Sequence, residues 1–126
     1  MKFSVTDVRQ LGSGGSYVVR YHADIETAPG DGSAEIEVVS TTPERANPEL
    51  LRLTIEHIRR GAESVLRPLN LRANLKLRCL FIHDVDCKPP KFENATADGL
   101  ALALMGVAEE QRHAEQVAQA ERRPIG

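Results

Sequence analysis

From Tyr17 to Glu26 the chain alternates, and no other stretch constrains the fold as much. Tyr17, Val19, Tyr21, Ala23 and Ile25 occupy one set of positions, while Arg20, His22, Asp24 and Glu26 occupy the other. Successive side chains of a strand point to opposite faces, so this is a strand with one buried and one solvated side. Such a strand needs neighbours in a sheet and a second layer on its apolar face.

The neighbours are readable. Phe3 to Arg9 is a weaker strand. Pro29-Gly30-Asp31-Gly32 is a strong turn, after which Ala34, Ile36 and Val38 alternate with Glu35 and Glu37. That pattern predicts a hairpin between the second and third strands. Ala73, Leu75, Leu77, Cys79 and Phe81 predict a fourth strand, with Lys76 and Arg78 on the opposite face. On this periodicity Cys79 is a core residue and Cys87 lies in a loop, so the two are not expected to form a disulfide.

The second layer is helical. Asn47 is a good N-cap, and Pro48 fits the first helical position, where a missing N–H is harmless. Leu51, Ile55, Ile58, Ala62, Val65 and Leu69 keep helical three-four spacing, and Pro68 ends or kinks the helix. A second helix is expected from a cap at Asn94 or Thr96, with Leu100, Ala103, Leu104 and Val107 as its apolar stripe. Past Glu109 the chain turns polar. Residues 1–108 therefore read as the domain, and residues 109–126 as a polar helical extension or tail ending near Pro124. The fold class is α+β: a single four-stranded sheet with two helices on one face.

The connections carry a geometric consequence. If the first three strands form a meander and the first helix is a crossover, the first and fourth strands run the same way. Gln10 to Ser16 and His83 to Glu93 would then project from one end of the sheet, joined by both helix N-termini with their partial positive charge.

Composition narrows the function classes. The chain has 126 residues, no Trp, three Phe and two Tyr, so the core is aliphatic and one domain is expected. A net charge of −2 disfavours nucleic-acid binding driven by overall charge but leaves room for a local basic patch. Two cysteines make no disulfide framework, and no apolar run approaches a membrane span or a secretory signal. A cytoplasmic protein with no membrane association is expected.

Three stretches carry candidate chemistry. Gly12, Ser13, Gly14, Gly15 and Ser16 precede a strand rather than a helix, which excludes both phosphate-loop and dinucleotide fingerprints; a flexible hairpin connection is the plainer reading. His83, Asp84 and Asp86 can hold a metal or move a proton, but no further ligand stands at metal spacing, and a polar strand end accounts for them as well. No cofactor is implied. Lys88 and Lys91 flank Pro89-Pro90 in a stiff basic stretch suited to phosphate contact.

Arg9-Gln10-Leu11-Gly12-Ser13-Gly14-Gly15-Ser16-Tyr17 resembles the segment that opens the fourth domain of elongation factor G. "LLRLTIEHIRRGAESVL" is similar to that domain's first helix, and "ANLKLRCLFIHDVD" to its following strand and tip. The collinear similarity runs from about Val8 to Ala108. It implies a left-handed strand–helix–strand crossover, and a binding tip made of Gly12, Ser13, Gly14, Gly15, Ser16, His83, Asp84 and Asp86. Val18 stands where the family has glycine, and Cys87 to Glu93 forms a longer loop, closer to elongation factor 2. The family's GTPase domain is not in this sequence, so translocase activity does not carry over. The expectation is a non-enzymatic, stand-alone module that binds the ribosome or structured RNA through its tip, with Lys88 and Lys91 contributing. A protein-interaction module and a small enzyme using His83 and Asp86 are the alternatives. The oligomeric state is not readable.

Overall fold

The computed structural model describes residues 1–9 and 16–121, with side chains described as far as Gly106. Its strands are β1 (Lys2–Arg9), β2 (Tyr17–Pro29), β3 (Ala34–Val38), β4 (Thr41–Thr42), β5 (Leu71–Arg78) and β6 (Leu80–Phe81). Helix α1 spans Pro48–Leu66, continued by a short 3-10 turn over Arg67–Leu69, and α2 spans Pro89–Glu121.

The main sheet has the order β1-β2-β5-β3. β2 is antiparallel to both β1 and β5, whereas β3 is parallel to β5. The register aligns the apolar faces: Val5 opposes Tyr21, Ala23 opposes Leu77, and Leu75 opposes Ile36. These residues line one face, on which both helices pack, and the fold is α+β as expected. The other face is polar and carries Lys2, Asp24 and Arg78 in a chain of ion pairs. A small parallel pair, β4 with β6, adjoins the main sheet.

α1 begins where the cap was expected. The Asn47 side chain accepts a hydrogen bond from the Leu50 amide, and Pro48 opens the helix. Its buried face is Thr54, Ile58, Gly61, Ala62 and Leu66. Leu69 lies beyond the helix and is exposed. The expected stripe is thus rotated, because Gly61 rather than a large residue meets α2: a Cβ there would strike the Glu93 carbonyl oxygen. In α2 the buried residues Phe92, Thr96 and Leu100 recur every fourth position. Tyr21 stacks on Phe92 with ring centroids 6.4 Å apart, and its hydroxyl meets Thr96 Oγ1 at 2.5 Å.

Other expectations are corrected as well. β2 and β3 are not a hairpin, because β5 lies between them; the turn at residues 30–33 carries the chain past the place that β5 fills. The meander is therefore wrong, yet β1 and β5 still run the same way, since each is antiparallel to β2. α2 starts at Pro89, not at Asn94 or Thr96, and Thr96 is a buried mid-helix residue. The cysteines are reversed: Cys79 is exposed and Cys87 is buried, both as free thiols. The reason is the backbone of Cys79, whose φ of 53° falls in the left-handed region and breaks the alternation.

Candidate functional site

β1 and β2 close on the Arg9–Tyr17 pair, so the connection between them leaves from that end of the sheet. Gly12, Ser13, Gly14 and Gly15 lie outside the described residues; Ser16 is the first described residue beyond them and is half-buried. β5 ends toward the same side, and its continuation through β6 leads to His83.

Cys79 sets the approach. Its amide donates to Ser40 Oγ at 2.9 Å. After this residue Leu80 and Ile82 are buried instead of Phe81, and β6 pairs with Thr41–Thr42. Residues 83–87 then form a tight turn in which the Asp86 and Cys87 amides donate to the His83 carbonyl at 3.1 and 2.9 Å. The turn is anchored from below: Cys87 Sγ lies 3.5 Å from Thr54 Oγ1 of α1, and burial pushes the Cys87 thiol above its ordinary range.

Two contacts join this turn to the start of β2. The Val18 amide donates to the Asp86 carbonyl at 3.0 Å. In the first turn of α2, Lys91 Nζ sits 5.1 Å from the centroid of the Tyr17 ring, a cation–π arrangement. Tyr17 in turn donates its hydroxyl to Asp7 Oδ2 at 3.1 Å. Of the expected tip residues, Ser16, His83, Asp84, Asp86, Lys88 and Lys91 therefore belong to segments that meet at one end. Val18 and Tyr17 were not among the expected site residues. Their alternation assigns them to the strand, and only their position directly after the glycines hints at more.

Beside the turn lies a cleft of about 550 Å³ between His83–Val85 and the segment from Pro43 to Pro48 that leads into α1. Arg45 lines it, exposed and outside the sequence-based set. Lys91, Asp7 and Arg9 thus surround Tyr17, and Arg45 shares the cleft with Asp84, so this end carries charges of both signs.

His83 and Asp86 do not form an acid–base pair in this geometry. Nδ1 and Oδ2 are 4.0 Å apart, beyond hydrogen-bond distance, and the His83 ring lies instead near Phe81 with centroids 6.2 Å apart. Among the described residues no group of three or more His, Cys, Asp and Glu side chains is arranged to hold a metal ion. Among them, too, no helix is long and apolar enough to cross a membrane.

The chain matches no protein-family model, and a search of curated proteins finds no significant match.

Proposed function

We propose that this chain is a non-enzymatic binding module that engages structured RNA, as in the ribosome, through the end formed by the β1–β2 connection and the His83–Lys91 segment. The observation that carries the reading is the Val18–Asp86 hydrogen bond, which ties the start of β2 to the turn at residues 83–87, two segments distant in sequence. Support comes from the cations that the segments of this end carry, Arg9, Arg45, Lys88 and Lys91, and from the resemblance to the fourth domain of elongation factor G, whose tip uses the corresponding loops. The glycines suit close backbone approach to a partner, because they add no side-chain bulk and can leave N–H groups free to donate.

Sedimentation with ribosomes across a salt series tests the proposal. Binding should weaken steeply as salt rises. Replacing Lys88 and Lys91 with Ala should lower the slope of log affinity against log salt by about two at most, roughly one for each phosphate no longer neutralised. No co-sedimentation at low salt would remove RNA from the reading, and an unchanged slope would remove the two lysines from the interface.

A protein partner is the second reading, favoured by Asp7, Asp84 and Asp86 among the cations. Binding that survives nuclease treatment of the partner fraction and responds equally to Asp84→Ala and Lys88→Ala would select it.

A further inference from the structure

The two edges of the main sheet are unequal. β3 has only five residues, exposes Glu35 and Glu37, and has its Ala34 amide bonded to Glu63 of α1 at 3.4 Å. Short length, charge and cover are the usual ways of blunting an edge. β1 has eight residues, contains neither proline nor glycine, and is uncharged from Phe3 to Val8 apart from Asp7.

The hydrogen-bond phase of β1 fixes what this edge displays. Met1 and Ile25 exchange bonds in both directions, the Met1 nitrogen donating to the Ile25 carbonyl at 3.2 Å and the Ile25 amide to the Met1 carbonyl at 2.8 Å. Antiparallel pairs alternate, so Phe3, Val5, Asp7 and Arg9 also bond to β2. The N–H and C=O groups of Lys2, Ser4, Thr6 and Val8 therefore point outward, four donors and four acceptors along one edge strand.

The flank of α2 stands above this edge. Glu93, Thr96, Gly99 and Leu102 are spaced by three, so each is rotated by about 60° from the last. The Glu93 carbonyl lies against α1, Thr96 bonds to Tyr21 on β2, and Gly99 lies against Val5 on β1. Leu102 is the next step, past β1, and it is 68% exposed.

We propose that β1 is the seam of a symmetric dimer. A second copy of this chain pairs antiparallel along the outer edge of β1 with Val5 on the twofold axis, and α2 packs against its counterpart above the seam. Only identical strands can satisfy this edge in a closed, self-complementary way. With Val5 on the axis, Lys2 pairs with Val8 and Ser4 with Thr6, in both directions, so all eight outward groups are bonded. The helices fit the same symmetry. α2 straddles β1 and β2, and strands lie about 4.8 Å apart, so the two α2 axes would be about 10 Å apart, close to helix-packing distance. The two Leu102 side chains then leave water together. The seam is independent of the RNA reading, since the two tips point to opposite ends of the joined eight-stranded sheet.

Sedimentation equilibrium of the full chain, without RNA, should show a dimer from micromolar to millimolar concentration. Hydrogen exchange should show the Ser4, Thr6 and Val8 amides protected at high concentration and losing that protection on dilution. Thr6→Pro should give a monomer with unchanged circular dichroism, because the Thr6 N–H takes no part in the β1–β2 ladder. Leu102→Glu, on an exposed helix flank, should weaken dimerisation at least about tenfold, and it keeps the test open if the proline variant fails to fold. A wild-type chain that stays monomeric to about 1 mM overturns the proposal and leaves the edge to a different partner. A dimer whose Ser4, Thr6 and Val8 amides exchange freely, or one untouched by both variants, overturns it as well.

Discussion

The hydroxyls of Tyr21 and Thr96 meet at 2.5 Å inside the core, one from the second strand and one from the middle of α2. This is a buried polar pair, and among the described residues no buried side-chain nitrogen or oxygen lacks a partner. Thr96→Val alone should cost about 1–3 kcal/mol, because it leaves the Tyr21 hydroxyl unpaired. Tyr21→Phe should cost a similar amount, and the double variant should cost less than the sum of the two. Additive losses in urea melts would show that the hydroxyls act independently.

The same pair predicts behaviour in alkali. Burial raises the Tyr21 pKa above its ordinary value of 10.0. The folded state therefore holds the proton more tightly than the unfolded state does. Stability from this group is complete below pH 10 and falls as pH rises above it, by up to about 1.4 kcal/mol per pH unit. Melts from pH 9 to 12 should show Tyr21→Phe declining less steeply than the wild type above pH 10. Parallel declines would mean that the tyrosine is not the group responsible.

The two thiols should react at different rates. Cys79 is exposed, whereas Cys87 is buried beside Thr54 with its pKa raised, and the thiolate is the reactive form. A thiol reagent should find two thiols in the unreduced, denatured chain, and one fast and one slow thiol in the folded chain. Cys79→Ser should remove the fast phase. A fast phase that survives this substitution would reverse the assignment.

Gly61→Ala sets two effects against each other. Alanine favours a helix interior by about 1 kcal/mol over glycine. Against this, a methyl at position 61 would strike the Glu93 carbonyl oxygen, a backbone atom that yields only if α2 moves. The clash should win, with a net loss of about 1–3 kcal/mol. A more stable variant would show that the helices can separate freely.

Leu77→Ala should cost about 2–5 kcal/mol, since Leu77 is 0% exposed at the centre of the sheet. Glu37→Ala, on the open face of β3, should change stability by less than about 0.5 kcal/mol. Equal losses in denaturant would invert the two faces of the sheet.

The face assignments of β2 and β5 were legible because burial on one side writes a two-residue period into the sequence. The Asn47-Pro48 helix start was legible for a similarly local reason, since a cap acts within one turn. What could not be read locally was pairing. Nothing between Pro29 and Ala34 says that β5 will separate the two strands that this turn joins. Asn94 and Thr96 resemble caps but lie inside α2, because the proline pair upstream already supplies a valid first turn and Thr96 finds its partner on β2. At the tip, His83, Asp84 and Asp86 stood out by residue type. The Val18–Asp86 bond did not, because it uses only backbone atoms and any residues could make it.

Cys79 behaves as a single inserted residue. Without it, Leu77, Leu80 and Ile82 would follow one unbroken alternation with Arg78 and Phe81 between them, and the same side chains would still face inward. The extra residue leaves the inner and outer sets unchanged and bends the path, so that one continuous run of chain serves first the main sheet and then the β4–β6 pair. The length of this stretch is therefore under a parity rule. Adding or removing one residue at the kink changes the bend, whereas one residue added on either side of it turns the apolar residues beyond outward. Natural length variation on the way to the tip should accordingly collect at position 79.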